Sequence, residues 1–335
     1  LSTEGQSVTF VYIDGTQGWV NVLDSTSNVR GSPFIAASVS GACNTLATAP
    51  CCANTKIATF LGPGTFTVSA AAVCAANNLV SYMVAAGGGG GGTWHGGGGG
   101  AGGFREYKSP VTPYTASPLD GNPGGTSITV SATPYPITVG GGGAGGGIPA
   151  PCLSVNGSPS VFSSIISTGG GGGGSAPDSG KAGGSGGGGS YSPNNAGGAG
   201  DTPPVSPAQG FAGGTGAVGS PYKGGGGGGA TTVGGTNTSS NGVGGTGVIT
   251  SISATPTAYT GGAGSGGGQY GQACGGAGGN GGGGTGAPNT GSGTAGGVNT
   301  GGGGGGGNTA LTVPVCNGTG RTGGSGIVII RYKFQ

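Results

Sequence analysis

Charge is the scarcest property of this chain. Of its 335 residues, 5% are Asp, Glu, Lys or Arg, and the net charge is +2. Nine Lys and Arg spread over that length form no basic stripe, so nucleic acid is not an expected partner. Histidine occurs once, at His95, which leaves neither a His-based catalytic triad nor a multi-His metal site within one chain. No catalytic residues, metal or cofactor are therefore expected, and the chain does not read as an enzyme. A carboxylate pair of the glycosidase type stays open by spacing alone, since Asp120, Asp178 and Asp201 lie beyond Glu106. No apolar run reaches about 18 residues, so membrane insertion is not expected. The opening LSTEGQSVTF has no basic or apolar region of the kind a signal peptide needs. It starts on Leu1, which suggests a processed chain or part of a longer one.

Glycine fills the space left by these absences. There are 96 glycines and 21 prolines, about a third of the chain. Runs of four or more glycines stand at 87–92, 96–100, 140–143, 169–174, 186–189, 224–229, 281–284 and 301–307. No Gly-X-Y period is present, which excludes collagen. Disorder usually combines low hydropathy with high charge, and this chain is nearly uncharged. An α-helix is excluded in the tracts, because each Gly costs about 1 kcal/mol relative to Ala. In such a composition GxGxxG matches arise by chance and identify no nucleotide site. The sequons at 156–158, 237–239 and 317–319 are equally expected by chance.

Around the tracts the pattern is β. Residues 7–13 and 19–23 predict a hairpin, with 24–42 as a polar connector. Residues 55–61 and 65–72, joined by a Gly-Pro-Gly turn, predict a second hairpin, and 79–85 a further strand. Within the glycine region, 127–132, 135–139, 160–166 and 247–254 are strand-like. The chain closes on the apolar run 326–334. Strands at 79–85 and 326–334 bracket the glycine region, so its two ends are expected to return to one place and pair.

Ordering the tracts requires a collective stabilisation, because fixing each residue costs roughly 1–2 kcal/mol and glycine has no side chain to bury. The polyglycine II helix supplies one. It rises about 3.1 Å per residue, makes no internal hydrogen bonds and turns its backbone groups outward in three directions. Six residues then span about 19 Å. The expected fold class is mainly β and irregular: N-terminal β hairpins, then a polyglycine II helix bundle closed by a C-terminal strand. The corresponding domains are an N-terminal β attachment segment and connector at 1–42, a small β domain at 43–85, and the bundle at 86–335 with its closing strand at 326–334. Thr93-Trp94-His95 would be the tip between two antiparallel helices, with Trp94 capping the bundle end. Seven cysteines include four at 43–74, where one or two disulfides are expected, with buried free thiols as the alternative.

The stretches TFLGPGTFTVS, VSYMVAAGGGGGG, GGGGGAGGFREYKSPVTPYTASPL, ITVSATPYPITVGGGGAGG and the closing GGSGIVIIRYKFQ resemble the glycine-rich domains of phage tail-fibre and adhesin-like structural proteins, especially of marine and cyanobacterial phages. SVTFVYIDGTQGWVNV looks like the short β repeat that often precedes them. The plan is similar to that of tip adhesins on some T-even-like tail fibres. The resemblance implies an extracellular protein on the virion surface, in a tail fibre, that partners other virion tail or fibre proteins. It implies host recognition through bundle loops, with a host cell-surface glycan or outer-membrane protein as receptor. Receptor-binding candidates are the aromatic and neighbouring residues Trp94, His95, Tyr107, Tyr114, Tyr191, Phe211, Tyr222, Tyr259 and Tyr270. The competing reading is a purely structural fibre, filament or capsid-decoration protein. In it, exposed edges at 79–85 or 326–334 would pair between subunits, naturally as a homotrimer. An ice-binding bundle would need a flat Thr or Ala face, which the irregular Thr spacing does not supply.

Overall fold

A computed structural model describes residues 8–14, 18–24, 32–50, 52–122, 124, 126–147, 153–191, 195–218, 222–236, 242–267, 274–288, 292–308 and 318–335. The described chain is mainly β and irregular. Its one helical element is a 3-10 turn at Ala75–Asn78.

The first two strands, β1 (Val8–Asp14) and β2 (Gly18–Asp24), pair antiparallel as the hairpin expected from their turn. Phe10, Val11 and Tyr12 of β1 are all exposed, although successive strand residues point to opposite faces. The next strands are β3 (Ala36–Ser40), β4 (Thr45–Thr48), β5 (Thr55–Phe60), β6 (Gly64–Ala70), β7 (Leu79–Ala85) and β8 (Phe104–Tyr107). They are followed by β9 (Ile128–Thr129), β10 (Pro134–Thr138), β11 (Ser160–Phe162), β12 (Ile165–Ser167), β13 (Val248–Thr250), β14 (Thr257–Tyr259) and β15 (Ile327–Lys333).

The expected hairpin of 55–61 and 65–72 does not form. β5 belongs to a six-stranded sheet in the order β4-β5-β15-β7-β8, with β9 beside β7, whereas β6 belongs to a five-stranded sheet in the order β12-β11-β10-β6-β3. Asn44 holds the crossover. Its Oδ1 accepts the Leu61 and Gly62 N–H groups, and its Nδ2 donates to the Ser40 and Pro63 carbonyls. Phe60 and Phe66 can then enter one core from opposite sheets. That core also holds Val80, Tyr82, Val84, Val328, Ile330 and Tyr332 from the larger sheet, and Val68, Ile137, Phe162 and Ile165 from the smaller. Burial of side chains from two facing sheets outweighs the short-range turn signal.

β15 lies inside the six-stranded sheet, antiparallel to β7 on one side and to β5 on the other, so the pairing of 79–85 with 326–334 is present. The sheet is open. Because β7 and β15 are both flanked, the expectation that either offers a free edge to another subunit is corrected. Alternate residues of β15 serve two cores. Ile327 and Ile329 face a second cluster with Met83, Phe104, Val248, Ile252 and Tyr259.

The glycine tracts continue the strands. β7 runs into 86–92 and 96–103 runs into β8, and Ala85 pairs with Phe104 where strand becomes tract. Beyond that point Ala86, Gly89 and Gly92 donate to Gly103, Gly100 and Gly97 at 2.9–3.0 Å, every third residue. The intervening donors go elsewhere. Gly87 and Gly90 bond Ser158 and Val155, and Gly88 and Gly91 bond Gly324 and Arg321, at 2.8–3.1 Å. Carbonyls of 87–92 accept in the same rotation, from 170 and 173, from 143 and 146, and from 304 and 307. This tract is thus bonded by backbone to neighbours in six directions. A Cβ placed on any of Gly87–Gly92 would fall 1.9–2.2 Å from a neighbouring carbonyl oxygen, far inside contact distance. Glycine is required here by close approach, not by a left-handed φ.

Candidate functional site

The tracts leave the sheets and return to them, so the described chain has a sheet end and a far end. At the far end, Thr93-Trp94-His95 reverses the chain between the two central tracts. Trp94 (φ +54°) and His95 (φ +49°) both occupy the left-handed region, which is costly for residues with a Cβ. A side chain and a backbone carbonyl from other tracts hold the turn. Ser175 Oγ accepts the Thr93 N–H at 3.0 Å, and His95 Nδ1 lies 3.1 Å from the Gly267 carbonyl. A carbonyl only accepts, so Nδ1 carries the proton in this contact.

His95 is 2% exposed. Its ring meets Tyr191 edge-on at 5.1 Å and Tyr222 at 5.9 Å, and the two tyrosines meet each other at 4.9 Å. Burial holds the imidazole below its ordinary pKa, with the Gly267 carbonyl opposing in part. Trp94 projects differently, with 49% of its surface exposed. It therefore does not act as a fully packed cap. Lys223, beside Tyr222, is 3% exposed. The far end combines a packed aromatic centre, a buried lysine and one large exposed indole.

The structure gathers four of the candidate residues here: Trp94, His95, Tyr191 and Tyr222. Tyr107 and Tyr259 are buried strand residues in the two cores, and Tyr107 stacks on Tyr82 at 6.1 Å. Tyr114 lies at the sheet end, where the Arg331 guanidinium sits 5.4 Å from its ring. Phe211 is a partly exposed residue on the flank, and Tyr270 lies outside the described residues. Sequence reasoning missed Ser175, Gly267 and Lys223. The one available signal was position, since Ser175 and Lys223 border glycine runs and Gly267 lies within a run of three.

A second polar centre lies at the sheet end. Glu106 of β8 is 2% exposed, accepts the Ser117 N–H at 3.0 Å and bonds the Thr250 hydroxyl. Burial raises its pKa, and these hydrogen bonds oppose the rise. Among the cysteines, Cys43 and Cys74 are exposed free thiols, so neither forms the N-terminal bridge their clustering suggested. Cys51, Cys152 and Cys316 lie outside the described residues. Among the described residues, no group of three His, Cys, Asp or Glu is placed to hold a metal, and no helix is long and apolar enough to cross a membrane.

A family model described as a glycine-rich domain matches residues 60–333. No curated protein and no solved structure matches the chain.

Proposed function

We propose, for a chain that belongs to the glycine-rich domain family, that it is a phage virion surface protein. In this reading it is a tail-fibre or fibre-tip adhesin whose polyglycine II bundle presents far-end loops to a host cell-surface glycan or outer-membrane protein. The bundle is supported by hydrogen bonds that leave 87–92 in three directions with a period of three residues. Such a bundle is stiff without a large apolar core, because neighbouring backbones take the place of side chains.

The observation that carries the recognition reading is the exposed Trp94 held on the packed His95–Tyr191–Tyr222 centre, at the end remote from the sheets. An aromatic anchor on a rigid support binds with little ordering cost. The β1–β2 hairpin, with Phe10, Val11 and Tyr12 exposed, is the attachment segment for other virion tail or fibre proteins in this account. No catalytic step is assigned, and the site is extracellular.

Adsorption competition tests the proposal. Purified folded protein is added to candidate marine bacterial hosts before phage. It is expected to coat susceptible cells and reduce infection, and Trp94→Ala is expected to abolish this without lowering stability. Folded protein that coats no susceptible host would overturn recognition. It would favour the structural fibre, filament or capsid-decoration reading, including a homotrimer, with the open edges of the sheets as the contacts to examine.

A further inference from the structure

Beside the 93–95 turn, the far end carries a cavity of about 390 Å³ lined by Leu153, Ser154, Ser175, Asp178, Ser179 and Lys181, with Gly173 behind them. We propose that this cavity is a saccharide subsite that takes one neutral pyranose ring. The inference deepens the surface-recognition reading and rests on its glycan branch.

The cavity wall is fixed by backbone. The Asp178 N–H donates to the Ser175 carbonyl at 2.6 Å, and the Ser190 hydroxyl donates to the Asp178 carbonyl at 2.8 Å. Asp178 is thus held through its main chain, while its exposed carboxylate accepts no hydrogen bond from the described residues. Lys181 Nζ donates to the Ser154 carbonyl, which leaves further ammonium protons for a ligand. Ser175, 6% exposed, accepts the Thr93 N–H through its hydroxyl and retains that hydroxyl's own proton to donate. Leu153 is 44% exposed and contributes an apolar wall.

This set of groups selects a ligand class. One carboxylate and one ammonium line the same cavity and balance in charge, so a ligand anion meets Asp178 and a ligand cation meets Lys181. A neutral polyol satisfies both, because each hydroxyl donates and accepts. Adjacent sugar hydroxyls can donate to Asp178 while accepting from Lys181 and Ser175, and the C–H face of the ring covers Leu153. The volume lies at the small end of ligand sites, which suits one ring. The Thr93–Ser175 bond ties the turn that carries Trp94 to this wall, so the indole stands next to the subsite in the chain.

The test uses the full chain and ligand-observed saturation-transfer NMR with a panel of free hexoses and N-acetylhexosamines at roughly 10 mM. At least one sugar is expected to receive saturation at its ring protons. Asp178→Asn, which disturbs no hydrogen bond between that side chain and the described residues, is expected to weaken its affinity by about tenfold or more. The proposal is overturned if no sugar in the panel is saturated, or if a saturated sugar binds Asp178→Asn unchanged. Cell adsorption separates this from the wider reading. Protein that coats cells but saturates no sugar removes the subsite and keeps recognition. Protein that binds a hexose through Asp178 but coats no cell keeps the subsite and removes recognition.

Discussion

Two alanine substitutions in glycine runs should move stability in opposite directions. A Cβ on Gly90 would lie 2.0 Å from the Ala144 carbonyl oxygen and 2.4 Å from its carbon. The contact cannot open without pushing 87–92 away from 140–146, which are joined by Gly143 N–H to Gly88 O at 2.8 Å and Gly146 N–H to Gly91 O at 2.9 Å. Overpacking costs about 1–3 kcal/mol, and each strained hydrogen bond adds about 1 kcal/mol. Gly90→Ala should therefore lose roughly 3–5 kcal/mol. Gly141, in a neighbouring tract, is exposed, and a Cβ there meets no atom within 4 Å. Its φ does not lie in the left-handed region. Gly141→Ala should gain about 0.4–1 kcal/mol by reducing the freedom of the unfolded chain. Denaturant midpoints of both variants against the parent measure the difference. If the two substitutions are equally harmless, the tracts are not packed backbone to backbone. If Gly141→Ala is the more damaging, the assignment of inner and outer faces is wrong.

Two titrating groups give pH predictions of opposite sign. His95 has a folded pKa below its unfolded value, so its contribution is present above about pH 6.5 and is lost as pH falls toward the folded value. Unfolding curves measured downward from neutral pH should show this loss, and His95→Gln should remove that part of the slope. Glu106 has a folded pKa above its unfolded value, so its contribution is present below about pH 4.5 and is lost as pH rises through the folded value. Glu106→Gln should therefore gain stability over the parent between acid and neutral pH. A parent and variant that stay parallel across that range would contradict the burial assigned to this carboxyl.

The sequence made the strands with strong local signals legible. β1 and β2 show through their turn, and β7 and β15 show because they are mostly apolar strands buried on both faces. β3 and β4 were hidden in small polar residues, since AASVS and TLAT carry little hydrophobic pattern and owe their pairing to β6 and β5. β8 was obscured by FREY, whose Arg105 and Glu106 look like surface residues although both are buried. The pairing of β5 with β15 was not legible either, because β15 lies near the C-terminal end of the sequence and the pairing depends on a long-range sheet rather than a turn. The 93–95 turn could be located from the two glycine runs that flank it. The gathering of Tyr191 and Tyr222 around His95 could not, because it depends on which tracts become neighbours. The aromatic composition that suggested binding residues also described core residues, as Tyr107 and Tyr259 demonstrate.

Residue-resolved amide hydrogen exchange on the native protein tests the central claim, that the glycine tracts are ordered by backbone hydrogen bonds to their neighbours. Protection at 88–92, 97–103 and 303–307 should approach that of β7 and β15, with Gly141 and Gly142 exchanging fast on the exposed flank. Exchange at random-coil rates throughout the tracts, with protection confined to the strands, would contradict that claim.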